Sequence, residues 1–331
     1  MRTIRYWTSH PERSPQYWRE WFCLPQDIEF VFDQINPDYL IVSEHIYSDP
    51  CQCRTFLRLD STRRISIFAS GEAVSPDMNL FDYAISFDKD FQLGDRIARK
   101  PPALFFQNHI FSPLTEGCAD PRAALSAKSR FCNFIYSNPK AHPRRDQLFY
   151  ALNGYRGVDS LGSHLNNCGN ATSRSHADWR RILVDMKRPY KFSIAAENAV
   201  FAGYTTEKLI SSFLANTVPI YWGNPSVADE FNPKAFINAN GLSDKELIEA
   251  VRRVDENDDL WCKMVSEPLI TIQQKTQIDS GISLYRAFTA RIFDDRAVDD
   301  KKRAPSGSWN DIYRLATCKR ARSGVLQWLL G

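Results

Sequence analysis

The run Tyr190-Lys191-Phe192-Ser193-Ile194-Ala195-Ala196-Glu197-Asn198 is followed by Tyr204-Thr205-Thr206-Glu207-Lys208-Leu209 and then by Val218-Pro219-Ile220-Tyr221-Trp222-Gly223. The outer two parts are short apolar runs bounded by polar residues and glycine, and they read as strands. Between them Thr205 or Thr206 fits an N-cap, Leu209, Phe213 and Leu214 supply an apolar helical face, and Asn216 ends the helix. Ile28–Phe32, Tyr39–Val42, Ile65–Ala69 and Phe131–Tyr136 repeat the short apolar run, separated by helical stretches. Strands alternating with helices predict an α/β protein with parallel sheets and crossover helices. Residues 112–130, rich in Ser, Pro, Ala and Gly, divide the chain into two such halves. A second linker, Ala304-Pro305-Ser306-Gly307-Ser308, precedes Trp309, Ile312, Tyr313 and Ala316 at helical spacing, which predicts a C-terminal helix crossing back onto the first half.

A length of 331 residues suits two domains. With 43% hydrophobic and 24% charged residues, wholesale disorder is excluded. A net charge of +3 is too small for an obligate nucleic-acid binder, but it is unevenly spread: residues 301–331 hold seven basic residues and one acid, which makes the tail +6 and the rest −3. The charged, strand-like start at Met1–Trp7 has no apolar leader region. The longest uncharged run, residues 209–228, is broken by Asn216, Pro219, Asn224 and Pro225, so no transmembrane helix is expected. Eight scattered cysteines in a chain without an export signal are expected to be reduced thiols. The six histidines show no metal spacing. Asp88-Lys89-Asp90 matches a D-x-D metal pattern, but a match this short arises by chance, and a solvated turn is the expectation. No Gly-rich dinucleotide or P-loop fingerprint is present.

Ligands of open α/β sheets bind beyond the carboxyl ends of the strands. Four segments put polar groups there. After Ile65–Ala69 comes Ser70-Gly71-Glu72, where Glu72 fits either a general base or a turn carboxylate facing water. After Phe131–Tyr136 comes a helix expected to begin at Pro143, with Arg144 and Arg145 suited to phosphate oxygens or to a solvated turn. Glu197 and Asn198 end the third strand, as acceptors for ribose or sugar hydroxyls or as a cap for the next segment. Lys208 stands in the first turn of its helix, where the macrodipole disfavours a cation unless an anion binds at the same end. The alternative is a lysine that reaches solvent beside Glu207.

These segments, together with Phe231-Asn232-Pro233-Lys234-Ala235-Phe236-Ile237-Asn238 and Asn79-Leu80-Phe81-Asp82-Tyr83, are similar to the α-1,3/4-fucosyltransferases of glycosyltransferase family 10, and most closely to its bacterial members. The resemblance covers most of residues 60–270. It implies a GT-B fold, two Rossmann-like domains facing a central cleft. The acceptor domain would be 1–120, to which 309–331 is one candidate addition, and the GDP-fucose domain 121–308. It implies inverting transfer of L-fucose to a hydroxyl of an N-acetylglucosamine-containing glycan, in α-1,3 or α-1,4 linkage. Glu72 would be the catalytic base. Arg145, or its neighbour Arg144, and Lys208 would hold the donor phosphates. Glu207 would bind ribose, Tyr204 would line the donor pocket, and Glu197 and Asn198 would occupy the family's Glu-Asn pair. Ala196 and Thr205 depart from the usual Phe and Val of the motifs and leave the polar set intact. No metal or other cofactor is expected beyond the donor. The expected location is cytoplasmic, where the basic tail either touches anionic lipid and a lipid-linked acceptor, as in lipopolysaccharide or protein glycosylation, or packs on the first domain. A GT-B enzyme for another nucleotide sugar, and a non-catalytic nucleotide- or sugar-binding protein, are the competing readings.

Overall fold

The structure, a computed structural model, describes residues 2–60, 64–105, 114–169 and 179–294. Contacts group it into two compact units: the described parts of Met1–Pro101 and Ser280–Gly331, and Pro102–Asp279. The expected division near residue 120 thus falls inside the second unit. Its polar, Gly-containing segment is strapped down there: Cys118 donates its amide to Val265 (2.8 Å), Leu114 accepts from the Ile270 amide (2.9 Å), and a Cβ on Gly117 would overlap the Ser266 backbone. The boundary expected at 308, the helix expected over 309–331 and the basic tail lie outside the described residues.

The first unit holds β1 (Arg2–Thr8), β2 (Ile28–Phe32), β3 (Tyr39–Val42), β4 (Ile65–Ala69), β5 (Tyr83–Ser86) and β6 (Ile97–Arg99), with helices α1 (Pro15–Trp21) and α2 (Pro50–Asp60). The strands form one parallel sheet in the order β2-β1-β3-β4-β5-β6. β3, β4 and β5 are buried from end to end, as central strands of a parallel sheet are when both faces are covered. The strand order reverses between β1 and β3, the place where such sheets open a crevice.

The second unit holds α3 (Pro102–Phe105), α4 (Pro121–Ser126), β7 (Arg130–Phe134), α5 (Arg144–Tyr155), β8 (Val158–Ser160), α6 (Trp179–Lys187), β9 (Tyr190–Ala196), α7 (Glu207–Leu214), β10 (Val218–Trp222), β11 (Ile237–Asn238), α8 (Asp244–Asp255) and α9 (Asp258–Ser266). Its parallel sheet runs β11-β10-β9-β7-β8 and reverses between β7 and β9. Phe134, Leu148, Phe192, Ile220, Leu247 and Trp261 are among the core residues that seal one face of it.

The last described helix, α10 (Ile272–Ile292), starts in the second unit and belongs to the first from Ser280 on. Periodicity does not announce it, because Ile272 and Leu284 are 80% and 73% exposed and only Tyr285, Thr289 and Ile292 are buried. Aromatic packing holds it instead. The Tyr285 hydroxyl donates to the Trp21 carbonyl (2.8 Å), and the Phe293 ring lies 4.8 Å from Phe22 and 4.9 Å from Tyr39.

Candidate functional site

A cleft of about 610 Å³, part of it open to solvent, lies at the reversal point of the second sheet, where the crossover helices leave β7 and β9 on different paths. Tyr136 and Ser137 beyond β7, Met186 and Lys187 of α6, and Glu207 and Lys208 of α7 line it.

The entry to α7 explains the geometry of its cation. Thr206 is the N-cap, but its side chain does not cap the helix. The Glu197 carboxylate reaches from the end of β9 and accepts from the Thr206 amide (2.8 Å), the Thr206 hydroxyl (2.8 Å) and the Lys208 ammonium (2.8 Å). Lys208 Nζ also lies 3.0 Å from Thr206 Oγ1. Glu197 is fully buried, whereas 13% of the Lys208 side chain is exposed. Burial by itself would lower the Lys208 amine; the Glu197 and Glu207 carboxylates override it and hold it above the ordinary lysine range. Lys208 therefore stays charged at neutral pH at a fixed position on the cleft wall.

Close approach beneath this pair requires a glycine. Gly223 follows β10 at φ +142°, and a Cβ there would stand 2.6 Å from Glu197 Cβ and Cγ. Gly223→Ala is expected to cost about 2 kcal/mol or more, since strain and overpacking add. A thermal melt with unchanged midpoint would contradict this.

The two arginines at the start of α5 separate cleanly. Pro143 is the N-cap of α5, one residue before the first helical position expected for it. Arg144 points to α8: its guanidinium bonds the Asp244 carboxylate and the Leu242 carbonyl (2.7 Å). That contact tethers the start of α5 to α8. Arg145 is 1% exposed, donates Nη2 to the Asn138 carbonyl (2.6 Å) and lies over the Tyr136 ring (4.8 Å). Its Nη1 is buried without a hydrogen-bond partner among the described residues. A buried guanidinium donor left unmet costs roughly 1–3 kcal/mol, which an anionic ligand oxygen would recover. With GDP as the probe of an anion site here, Arg145→Lys is accordingly expected to weaken binding by about tenfold or more, whereas Arg144→Ala changes it by about twofold at most. Titration calorimetry of both variants decides, and the reverse ranking would favour Arg144.

The sequence reads Glu197 as an acceptor for ribose or sugar hydroxyls or as a cap for the next segment; its oxygens accept from the Thr206 amide and hydroxyl and from Lys208 at the start of α7, which makes it a buttress under that helix. Asn198 is half-buried, and its carbonyl accepts from the His142 amide (2.8 Å). Tyr204 is buried, two residues before the N-cap of α7. Asp88 turns its carboxylate to the Ser75 hydroxyl and to the amides of Asp90 and Phe91 (both 3.1 Å), the turn the sequence suggests. Among the described residues, no group of three or more His, Cys, Asp or Glu is placed to hold a metal ion, and seven cysteines are free.

Glu72 belongs to the first unit and is exposed. Its amide donates to Ser70 Oγ (3.0 Å), and the buried Ser70 hydroxyl donates to Glu44 Oε2 (2.7 Å). Glu44 stands two residues past β3, with His45 Nδ1 3.1 Å from its other oxygen. Sequence reading missed Glu44, although a carboxylate just beyond the end of an apolar strand is the signal that singled out Glu72. It also missed Lys187, whose position at the end of an amphipathic helix looks like an ordinary surface lysine.

Two parallel α/β units, one carrying a charged cleft at its reversal point, define the class: the fold is of the GT-B glycosyltransferase type, with two Rossmann-like units. It is shared with crystal structures of an α1,3-fucosyltransferase, one aligning over 92% of this chain and 93% of that one with TM-score 0.70, another, with GDP-fucose, over 89% and 92% with TM-score 0.65, each at 23% identity. Residues 125–266 match the model of glycosyltransferase family 10 (fucosyltransferase), C-terminal part. It is 30% identical over 295 residues to the α-(1,3)-fucosyltransferase FucT of Helicobacter pylori, covering 80% of this chain and 59% of that protein. It is 31% identical over 144 residues to the human GDP-fucose protein O-fucosyltransferase 3, covering 40% of this chain and 29% of that one. The chain thus spans about three fifths or less of the length of these relatives. No described helix is long and apolar enough to cross a membrane.

Proposed function

We propose that this protein transfers L-fucose from GDP-fucose to a hydroxyl of an N-acetylglucosamine-containing glycan in α-1,3 or α-1,4 linkage, with inversion and without a metal. The observation that carries this reading is the fixed Lys208 ammonium on the cleft wall together with the unmet Nη1 of Arg145. Two cationic groups suit the two phosphates of a nucleotide diphosphate, and the first amides of α7 add donors at the positive end of its dipole. Glu207, beside Lys208 on the same wall, suits the ribose hydroxyls.

In the proposed single displacement, Glu72 takes the proton of the acceptor hydroxyl. The oxygen attacks the anomeric carbon of fucose from the face opposite the diphosphate. The bond to the diphosphate breaks with its electron pair, so a β-linked donor gives an α-linked product. Negative charge grows on the leaving oxygen, where Lys208, Arg145 and the helix amides stabilise it without reorganising. The acceptor hydroxyl belongs to a glycan in this reading; a polypeptide hydroxyl is the variant that the likeness to the protein O-fucosyltransferase raises. The location we propose is cytoplasmic, with any lipid-linked acceptor reached at the membrane face.

The deciding experiment offers GDP-fucose, GDP-mannose and UDP-linked sugars with a panel of glycans and peptides, followed by product mass and linkage analysis. Transfer from GDP-fucose to the N-acetylglucosamine-containing members is expected. Transfer from another nucleotide sugar would move the protein to a different donor. Binding of GDP-fucose without turnover on any acceptor would make it a binding protein.

A further inference from the structure

Lys187 has no part in the transfer step above. It is the last residue of α6, only 4% exposed, and shares the cleft wall with Glu207 and Lys208. Its Nζ lies 2.8 Å from Ser211 Oγ, 2.9 Å from Ser212 Oγ and 3.5 Å from the Lys208 carbonyl. Ser212 Oγ is in turn 2.9 Å from Ser193 Oγ, which donates to Asn133 Oδ1 (2.9 Å). The amine thus heads a buried polar chain that runs under the first turns of α7 into the sheet. Hydroxyls and a carbonyl surround it, and among the described residues no carboxylate is within salt-bridge distance of it.

The charged groups that bear on this amine come mainly from α7. Burial lowers its proton affinity, Glu207 opposes that and Lys208 reinforces it, which leaves the amine titrating at about 7. Glu197, at the end of β9, is already tied to Lys208. The Tyr136 hydroxyl, beyond β7, donates to the Ile194 carbonyl (3.0 Å). On α6 itself Asp185 is paired with Arg188 (3.1 Å). Near neutral pH the unliganded cleft therefore carries this amine poised between its two forms.

We propose that Lys187 is a proton-linked positioning residue of the donor cleft: an anionic nucleotide diphosphate entering beside Lys208 draws one proton from solvent onto the Lys187 amine, and the resulting ammonium, through Ser211, Ser212 and the Lys208 carbonyl, steadies the turn of α7 that presents Lys208 to the ligand. The inference rests on the reading of this cleft as a nucleotide-diphosphate site. Its sign follows from linkage. The bound anion favours the charged form, so the amine holds its proton to higher pH in the complex than in the free protein. Affinity is then constant below about pH 7 and falls as pH rises through the window between the free and bound values, by at most about tenfold per pH unit for one proton.

The test is calorimetric titration with GDP-fucose, whose diphosphate is esterified at both ends and has no proton to exchange near neutrality. Measured at about pH 7.5 in buffers of different ionisation enthalpy, the heats give the protons taken up per ligand. The wild-type protein is expected to take up a substantial fraction of one proton. Lys187→Arg, which keeps the charge but does not titrate here, and Lys187→Met are both expected to bind without uptake, and the arginine variant to lose the fall in affinity above neutral pH. His142→Gln and His164→Gln are expected to leave the uptake intact. Binding by the wild-type protein with no proton exchange would overturn the proposal, as would uptake that persists in Lys187→Arg. Absence of GDP-fucose binding altogether would overturn the donor reading itself, and this inference with it.

Discussion

Replacing Glu72 with alanine is expected to lower the rate of fucosyl transfer by about 100- to 10,000-fold, the range spanned by a positioned general base, and to leave GDP-fucose affinity within about twofold. The split follows from where the residue stands. Glu72 belongs to the first sheet, past the end of β4, whereas Lys208, Arg145 and Glu207 all belong to the second unit. The turn that carries it does not depend on its own side chain. The Glu72 amide is held by Ser70 Oγ, and Ser70 is held by Glu44, so truncation removes the carboxylate and leaves the backbone path in place. Initial rates and calorimetry on the same preparation give the answer. Wild-type turnover in Glu72→Ala would sink the assignment of the base.

The second large effect concerns Lys208, and it has two parts. Losing a preorganised charge contact to the leaving diphosphate is expected to slow transfer by about 100- to 1,000-fold. Lys208→Met also strands Glu197, which is fully buried and has Lys208 as its only ion-pair partner among the described residues. Breaking a buried pair by removing one member costs about 3–5 kcal/mol. The single variant is therefore expected to melt early as well as bind poorly. The double variant Glu197→Gln with Lys208→Met separates the two effects, because an amide in place of the carboxylate needs no counter-charge. Its melting temperature is expected to return most of the way to wild type while donor affinity stays low. If the double variant regained affinity along with stability, Lys208 would be a structural lysine and not a phosphate contact.

Much of the fold is legible in the chain because most of its strands are short, largely apolar runs. Ile28–Phe32, Tyr39–Val42, Ile65–Ala69 and Val218–Trp222 appear at the residues expected, and the strands expected over 131–136 and 191–196 are Arg130–Phe134 and Tyr190–Ala196. What escapes notice is short, such as the strands Ile97–Arg99, Val158–Ser160 and Ile237–Asn238, or is fixed by contacts distant in sequence, such as α10. The site follows the same rule. Residues in the Glu197–Lys208 stretch are visible because several polar groups crowd one strand end and one helix start. Their division of labour is not visible, because it depends on which oxygens are already taken. Arg144 and Arg145 look alike as neighbours in the chain. Only the structure separates their partners, Asp244 and Leu242 for one and Asn138 and Tyr136 for the other.

The path of α10 bears on how the protein is made. The aromatic cluster of Trp21, Phe22, Phe30 and Tyr39 lacks its cover until Tyr285 and Phe293 emerge from the ribosome, more than 240 residues after Tyr39. The segment from Pro102 to Asp279 can close on itself during that interval, so the half that begins the chain is the last to be finished. Nascent chains stalled before residue 280 would leave those rings facing water, where folding helpers that recognise apolar surface would find them.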